Sequence, residues 1–549
     1  MPGPADLPPV IDPRWRFQPR GQGFDATGML HYEFPLEDSS YLEVWCYTDA
    51  VSYLPGETVQ VHASATAKSV SLELLHDTLR PRVVARADGL SVPLTKLAPG
   101  YLENGCGWPV VHRFTLPADA PSGFYLLIAR ATDAAGNVRE HEHGFFVRAR
   151  RPTAPVLLLS ATGTWIAYND WGGANHYVGD TARGCTPPAL GFAPRLTIHR
   201  PWARGQVFLP IGAPRKTHEH EVPPGSIPRY PPLEFAFARG YSRWYANAGW
   251  AIYERPFAVW AQQQGIGLDY ATAFDLQADP ALLDGYRCVV MVGHDEYWTW
   301  DMREAVDRFV ERGGHAARFA GNFHWQCRIE DGGNTQVCYK LAARAHDPLA
   351  NTRRITANWE DAVVGWPGAA TFGLNSCYGI YAGVGSMVPR GTRGFTVYRP
   401  DHWSLADTDL YYGDLLGGGA AHVFGYEVDG LDYTMRDGLP YPTFSDGAPE
   451  STKIIAMGLA VNTEVTRGRR HEVSYYGEQA PDMAKLRYGN DTDENVEKAS
   501  RGSGMMVEFT RGAGSVFHAG SCEWVSGFVA RDHGTETVTR NVLERFSRS

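Results

Sequence analysis

The sequence has no long apolar run, no dense run of basic residues and no C-x-x-C cysteine pair, and each absence excludes a class of function. A helix needs about 20 consecutive apolar residues to cross a bilayer, so no membrane span is expected. The opening stretch MPGPADLPPVIDPRW has neither the basic start nor the apolar centre of a secretory signal, which makes a cytoplasmic location the simplest expectation. Lys and Arg number 51 against 61 Asp and Glu, a net charge of -10. A field of that sign repels polyanions, so nucleic acid is not an expected partner. The eight cysteines, Cys46, Cys106, Cys185, Cys288, Cys327, Cys338, Cys377 and Cys522, stand far apart. That spacing excludes a zinc knuckle and a disulfide-dense scaffold, and most are expected to be reduced and buried as small apolar side chains.

What is present is an ordinary folded composition, 44% apolar and 20% charged over 549 residues, enough for two or three packed units. Residues 1–37 read as an N-terminal extension. From 38 to 150 the runs YLEVWCYT, TVQVHASA, SVSLELLH, GFYLLIARAT and HGFFVRA alternate with period two between the turn signals LPGE, APSG and DAAGN. Half-buried antiparallel strands require that pattern, so an immunoglobulin-like β-sandwich with a packing role is expected. After the linker RARRPTAP a different pattern covers 154–549. VLLLSA, YRCVVMVG and HAARFAG are continuous apolar runs, as in parallel strands covered on both faces. WDMREAVDRFVERGG sets Met302, Ala305, Val306, Phe309 and Val310 on one helical face before a glycine pair. GSVFHAGS and TETVTRNVLERF repeat strand and helix near the end. The fold class predicted is α/β, a mostly parallel three-layer domain of glutamine-amidotransferase-like shape. The stretch around 325–511, rich in Gly, Tyr, Trp and Pro without sustained periodicity, is expected to be an insertion roofing the sheet edge.

In open α/β sheets ligands bind beyond the carboxyl ends of the strands. Three such places carry chemistry here: TGTWIAYNDWGGANHYVGD after VLLLSA, GHDEYWTW after CVVMV, and GNFHWQC after AARFA. The second delivers His294, Asp295, Glu296 and Tyr297 through Gly293 with no Ser or Cys, so a covalent nucleophile is not expected there. A carboxylate beside an imidazole suits hard-metal ligation or acid–base work; the plain alternative is capping of the following helix. The first holds Tyr168 and Tyr177 among Trp165, Trp171 and the pair Gly172-Gly173. Phenols with a pKa of about 10 are more often pocket wall than ligand, unless a strong Lewis acid such as ferric iron favours the phenolate.

Taken together, Thr164 to Gly173 with Tyr177, Gly293 to Trp298, Gly321-Asn322 and Gly425 to Asp429 resemble the catalytic chain of the N,N-dimethylformamidase family over roughly residues 150 to 549. The resemblance implies an amidohydrolase that cleaves the C–N bond of a small N-substituted amide such as a formamide. It implies a mononuclear iron, as Fe3+, held by Tyr168, Tyr177 and Glu296. It places His294 and Asn322 beside that metal, makes Glu427 a general base and brings Lys340 to the pocket, with Tyr253 and Tyr297 as competitors for the place of Tyr177. The implied partners are the amide, further copies of the chain and a small accessory subunit. Two other readings stay open from the residues: a non-catalytic small-ligand or sugar-binding protein, and a zinc site using His294 or His324 with carboxylates, against which stands the lack of an H-E-x-x-H pair.

Overall fold

The alternating runs form two packed β-sheets. Thr58–Ala65 and Ser69–His76 bury every second side chain, as their sequence period requires. Val44–Thr48, Thr58–Ala65 and Val110–Thr115 make a three-stranded sheet; Ser52–Tyr53, Val138–Val147, Gly123–Thr132, Ser69–His76 and Arg82–Leu90 make a five-stranded one. Their inner faces share one core that includes Val59, Val61, Leu72, Leu74, Phe114, Leu127 and Phe145. This computed structural model describes residues 15–17, 29–180, 184–187, 189–215, 231–379, 393–461 and 480–548. Most of the expected N-terminal extension, and parts of the expected insertion, lie outside them.

The remainder is built on a nine-stranded sheet. In spatial order its strands are Leu268–Thr272, Val156–Ser160, Cys288–His294, His315–Gly321, Gly514–His518, Arg501–Arg511, Lys453–Val461, Phe395–Val397 and Leu415–Leu416. The first five run parallel to one another. Every later pairing is antiparallel. The expected fold class is therefore corrected. In place of an immunoglobulin-like sandwich before a mostly parallel, three-layer, amidotransferase-like domain, the chain has two packed β-sheets before a mixed sheet, half of whose pairings are antiparallel. The physical reason lies in the turns. Gly512, at φ 54, and Ala513 join Arg501–Arg511 directly to Gly514–His518. A two-residue connection can only make a hairpin, whereas parallel neighbours need a long crossover.

Successive residues of the strand Val156–Ser160 enter two different cores. Leu158 joins Val290, Phe319 and Phe517 in one, where Val538, Val542, Leu543 and Phe546 of the helix His533–Arg548 also pack. Leu157 and Leu159 join Val289, Met291 and Val516 in the other, covered by Met302, Ala305, Val306, Phe309 and Val310 of the helix Trp300–Glu311. That arrangement leaves the carboxyl ends of the central strands as the place where polar side chains can gather. No helix among the described residues is long and apolar enough to cross a membrane.

Candidate active site

The strand Cys288–His294 is buried along its whole length. At Gly293 the backbone turns to φ 77, and a Cβ there would sit 2.3 Å from Cβ of Tyr253, so only glycine fits. The turn delivers His294, Asp295 and Glu296, all buried. Capping does not explain these acids, because the helix Trp300–Glu311 is capped by Thr299, whose hydroxyl accepts from Met302 N at 3.2 Å. Asp295 instead takes Trp298 Nε1 at 2.8 Å and lies 3.4 Å from Arg318 Nε. Glu296 points into the pocket, its backbone N–H donated to Thr164 Oγ1 at 2.8 Å.

Thr164 belongs to the short helix Thr162–Tyr168, which ends on Tyr168. The chain then loops through Gly172 and Gly173 to Tyr177, whose N–H is donated to Asn175 Oδ1 at 2.8 Å. Tyr177 Oη lies 2.8 Å from both Glu296 oxygens. The Tyr168 and Tyr177 ring centroids are 4.7 Å apart. Tyr297 Oη donates to Tyr177 Oη at 2.9 Å. Burial, reinforced by the Glu296 charge, pushes all three phenols well above their usual range. They keep their protons unless a strongly polarising cation takes their place. Tyr253 packs its ring 6.2 Å from that of His294 but does not join the phenol pair: its hydroxyl donates to Glu523 Oε1 at 3.2 Å.

His294 donates Nδ1–H to the Asn247 carbonyl at 2.7 Å, which turns Nε2 into the pocket. There Nε2 lies 3.0 Å from Glu427 Oε2 and 3.3 Å from Glu296 Oε2. Burial opposes a charge on the ring, but Glu427 and Glu296 together raise its pKa to about 10. Asn322 Nδ2 donates to Glu427 Oε2 at 2.7 Å and is 3.2 Å from His294 Nε2. Its backbone, at φ 60, is held by its N–H donating to Asp429 Oδ1 at 2.7 Å. Asp429 is itself paired with the buried Arg318 at 3.1 Å. Lys340, also at positive φ, sets Nζ 3.0 Å from the Tyr177 ring centroid. Burial lowers this ammonium to about 8 although Glu296 opposes the shift.

Tyr168, Tyr177, Glu296, His294, Asn322, Glu427 and Lys340 thus form one connected cluster. Of the other contributors, Cys522 and Tyr426 were not singled out from the sequence, and His324 only as a possible zinc ligand. Cys522 offers Sγ within 4.8 Å of donors on His294 and Glu427. Tyr426 packs its ring 5.5 Å from that of His294. His324, which burial takes down to about 4, bonds Ser376 Oγ through Nδ1 at 2.6 Å. Tyr426 lies within the segment Gly425 to Asp429 and His324 follows Gly321-Asn322, so their neighbours in sequence were the available signal. Cys522 lies in an unremarked turn and carried none.

Buried acid, phenol and imidazole groups at the end of a sheet define a site suited to a hard cation and to moving protons. A family described as N,N-dimethylformamidase beta subunit-like, C-terminal, matches residues 81–536. The chain belongs to that family. The N,N-dimethylformamidase beta subunit of an Alcaligenes species is 23% identical over 470 residues, covering 81% of this chain and 55% of that protein. The protein of the same name from Paracoccus aminophilus is 24% identical over 475 residues, again covering 81% and 55%. The chain therefore spans about half the length of these curated relatives. Among solved structures, a sporulation control protein from Bacillus subtilis matches 19% of the chain and 49% of its own at 17% identity and a TM-score of 0.14. Murine CRIg matches 20% of the chain and 99% of its own at 10% identity and a TM-score of 0.15. Scores this low carry no argument about the fold.

Proposed function

We propose that this chain is an iron-dependent amidohydrolase that cleaves the C–N bond of a small N-substituted amide such as a formamide. The observation that carries the reading is the contact of the Tyr177 phenol with both oxygens of Glu296 at 2.8 Å, with Tyr168 packed alongside. This donor set fits ferric iron. It is all oxygen, as a hard cation prefers, and loss of two phenol protons would give three negative charges to balance three positive ones. Tyr168, Tyr177 and Glu296 would hold the ion, which supplies Lewis acidity toward an amide carbonyl and water.

The chain's own residues then handle the protons. Glu427 takes a proton from water through its carboxylate as the water oxygen bonds to the carbonyl carbon, and hands it to the departing nitrogen. Asn322 Nδ2, donating to Glu427 Oε2 at 2.7 Å, fixes the carboxylate's direction. His294 presents Nε2 between the two carboxylates, its ring set by the Asn247 carbonyl. The Lys340 ammonium over the Tyr177 ring favours negative charge on that phenol. Trp244, stacked on Tyr177 with ring centroids 5.5 Å apart, helps wall the pocket against water. The named relatives are beta subunits, which supports assembly with further copies of the chain and a small accessory subunit, read out as mass in solution.

Elemental analysis, visible spectroscopy and a panel of formamide, N-methylformamide and N,N-dimethylformamide test the reading together. Phenolate bound to ferric iron gives a visible charge-transfer band. Glu296→Ala removes the band and the hydrolysis; a colourless, metal-free protein with full activity rules the reading out. Iron without turnover of any amide on the panel would favour a binding role.

A further inference from the structure

Arg200 is 1% exposed, yet none of its hydrogen bonds goes to a carboxylate. Its acceptors are five main-chain carbonyls. Nη2 donates to Asn169 O at 2.8 Å and Ile166 O at 3.4 Å; Nη1 donates to Trp171 O at 2.8 Å and Ala174 O at 3.4 Å; Nε donates to Thr197 O at 3.3 Å. Four of the five lie in the segment 166–174, which contains Tyr168 and stops three residues short of Tyr177. Burial is costly enough to this cation to lower its pKa to about 10, so the interaction must be supported by geometry.

The carbonyls explain the geometry. The helix Thr162–Tyr168 spans only two turns, and its last carbonyls have no partners further along the helix. Arg200 takes one of them, Ile166 O, together with Asn169 O just past the helix on one arm, and Trp171 O and Ala174 O of the returning loop on the other, so that both limbs are tied to one rigid plane. Neighbouring bonds anchor that plane. Asn169 Nδ2 donates to Pro201 O at 2.9 Å, and Ala203 N donates to Asn169 Oδ1 at 3.0 Å. His176 N closes the loop on Ala167 O at 3.1 Å.

We propose that Arg200 is a positioning residue that fixes the separation of the Tyr168 and Tyr177 phenols, and through it the affinity and electronic character of the metal site. The inference rests on the iron reading above. A lysine keeps the charge but offers three donors from one point, and cannot span carbonyls on two limbs of a loop.

The test compares wild type, Arg200→Lys and Arg200→Ala by iron titration, visible spectrum, thermal melt and kcat/KM. In Arg200→Lys, iron affinity is expected to fall about 10- to 100-fold, the usual effect of losing a support behind a ligand, and the charge-transfer band of the remaining iron-bound protein shifts. Free guanidinium ion restores affinity and band position in Arg200→Ala, while tetramethylammonium, which has no N–H, does not. Wild-type affinity and band in Arg200→Lys overturn the proposal. So does a loss of iron that only tracks loss of folded protein, with a normal band in the folded fraction. A wild type without iron or colour sinks this proposal and the iron reading together; a coloured wild type with an unaffected Arg200→Lys sinks this one alone.

Discussion

Replacing Asp429 by asparagine should weaken both the fold and the site, by an amount that follows from its contacts. Asp429 Oδ2 lies 3.1 Å from Arg318 Nη1 and accepts from Phe323 N at 3.3 Å, while Oδ1 accepts from Asn322 N at 2.7 Å. Arg318 keeps a second carboxylate, Asp295, at 3.4 Å. At an effective dielectric of about 20, a unit-charge pair at this separation is worth about 5 kcal/mol. The carboxylate's own desolvation penalty disappears with the charge and offsets part of that. Because Asp295 remains, the net loss should fall near the lower end of the range for orphaning one partner of a buried pair, about 3 kcal/mol. The amide also presents an N–H to a site crowded with donors, so Asn322 loses its hold at φ 60 and with it the alignment of Glu427. Urea unfolding followed by tryptophan fluorescence reads the first effect, and kcat/KM on the amide panel reads the second, expected to drop about tenfold or more. A variant within about 1 kcal/mol of wild type in urea unfolding, with unchanged turnover, would refute the view that Asp429 ties the Arg318 pair to the Asn322 turn.

Gly293→Ala should cost about 2–5 kcal/mol, the sum of left-handed strain and overpacking, because its Cβ would meet Tyr253 at 2.3 Å; the measure is soluble yield and melting temperature. Lys340→Met tests a half-buried cation. The folded ammonium titrates near 8 against about 10.4 unfolded, so between those values the unfolded chain binds more protons and wild-type stability rises with pH. The variant's melting temperature should lack that rise, and its kcat/KM should fall. Glu508→Gln tests the opposite case. Burial pushes the Glu508 carboxyl up, but His402 at 2.9 Å overcomes this and holds it below the usual range. Its contribution is complete above the unfolded value of about 4.3 and lost as pH falls through the folded one, so the variant should flatten the acid limb of a melting curve against pH.

The elements that were legible in the sequence are those whose neighbours in space are also neighbours in pattern. VLLLSA, CVVMVGH and HAARFAG became adjacent strands, and the apolar stripe from Met302 to Val310 faces the core. What misled was direction. A buried strand reads as a continuous apolar run whichever way its partner points, so KIIAMGLAV and the hairpin closing on GSVFH gave no warning of the antiparallel half. In the pocket, His294 and Glu296 could be placed because one six-residue motif fixes their register. Arg200 and Asp429 act through main-chain groups of distant segments, a relation that periodicity and residue type do not encode. Cys522 is likewise brought to the site only by tertiary folding.

The strand Gly514–His518 lies at the middle of the nine-stranded sheet, beside His315–Gly321, and the residues just after it dock the segment that carries Glu427: Cys522 N donates to Glu427 O at 3.0 Å and Asp429 N to Gly520 O at 2.9 Å. On the ribosome, the stretch bearing the two tyrosines emerges long before its closing strand. At about 5–20 residues per second the interval is roughly 20 to 70 s. Throughout that time Phe319 lacks the shelter of Phe517, and the half-built sheet offers an open edge to chaperones and to its own kind. Cells that translate faster than they can shield this edge should accumulate inclusion bodies before they accumulate folded protein.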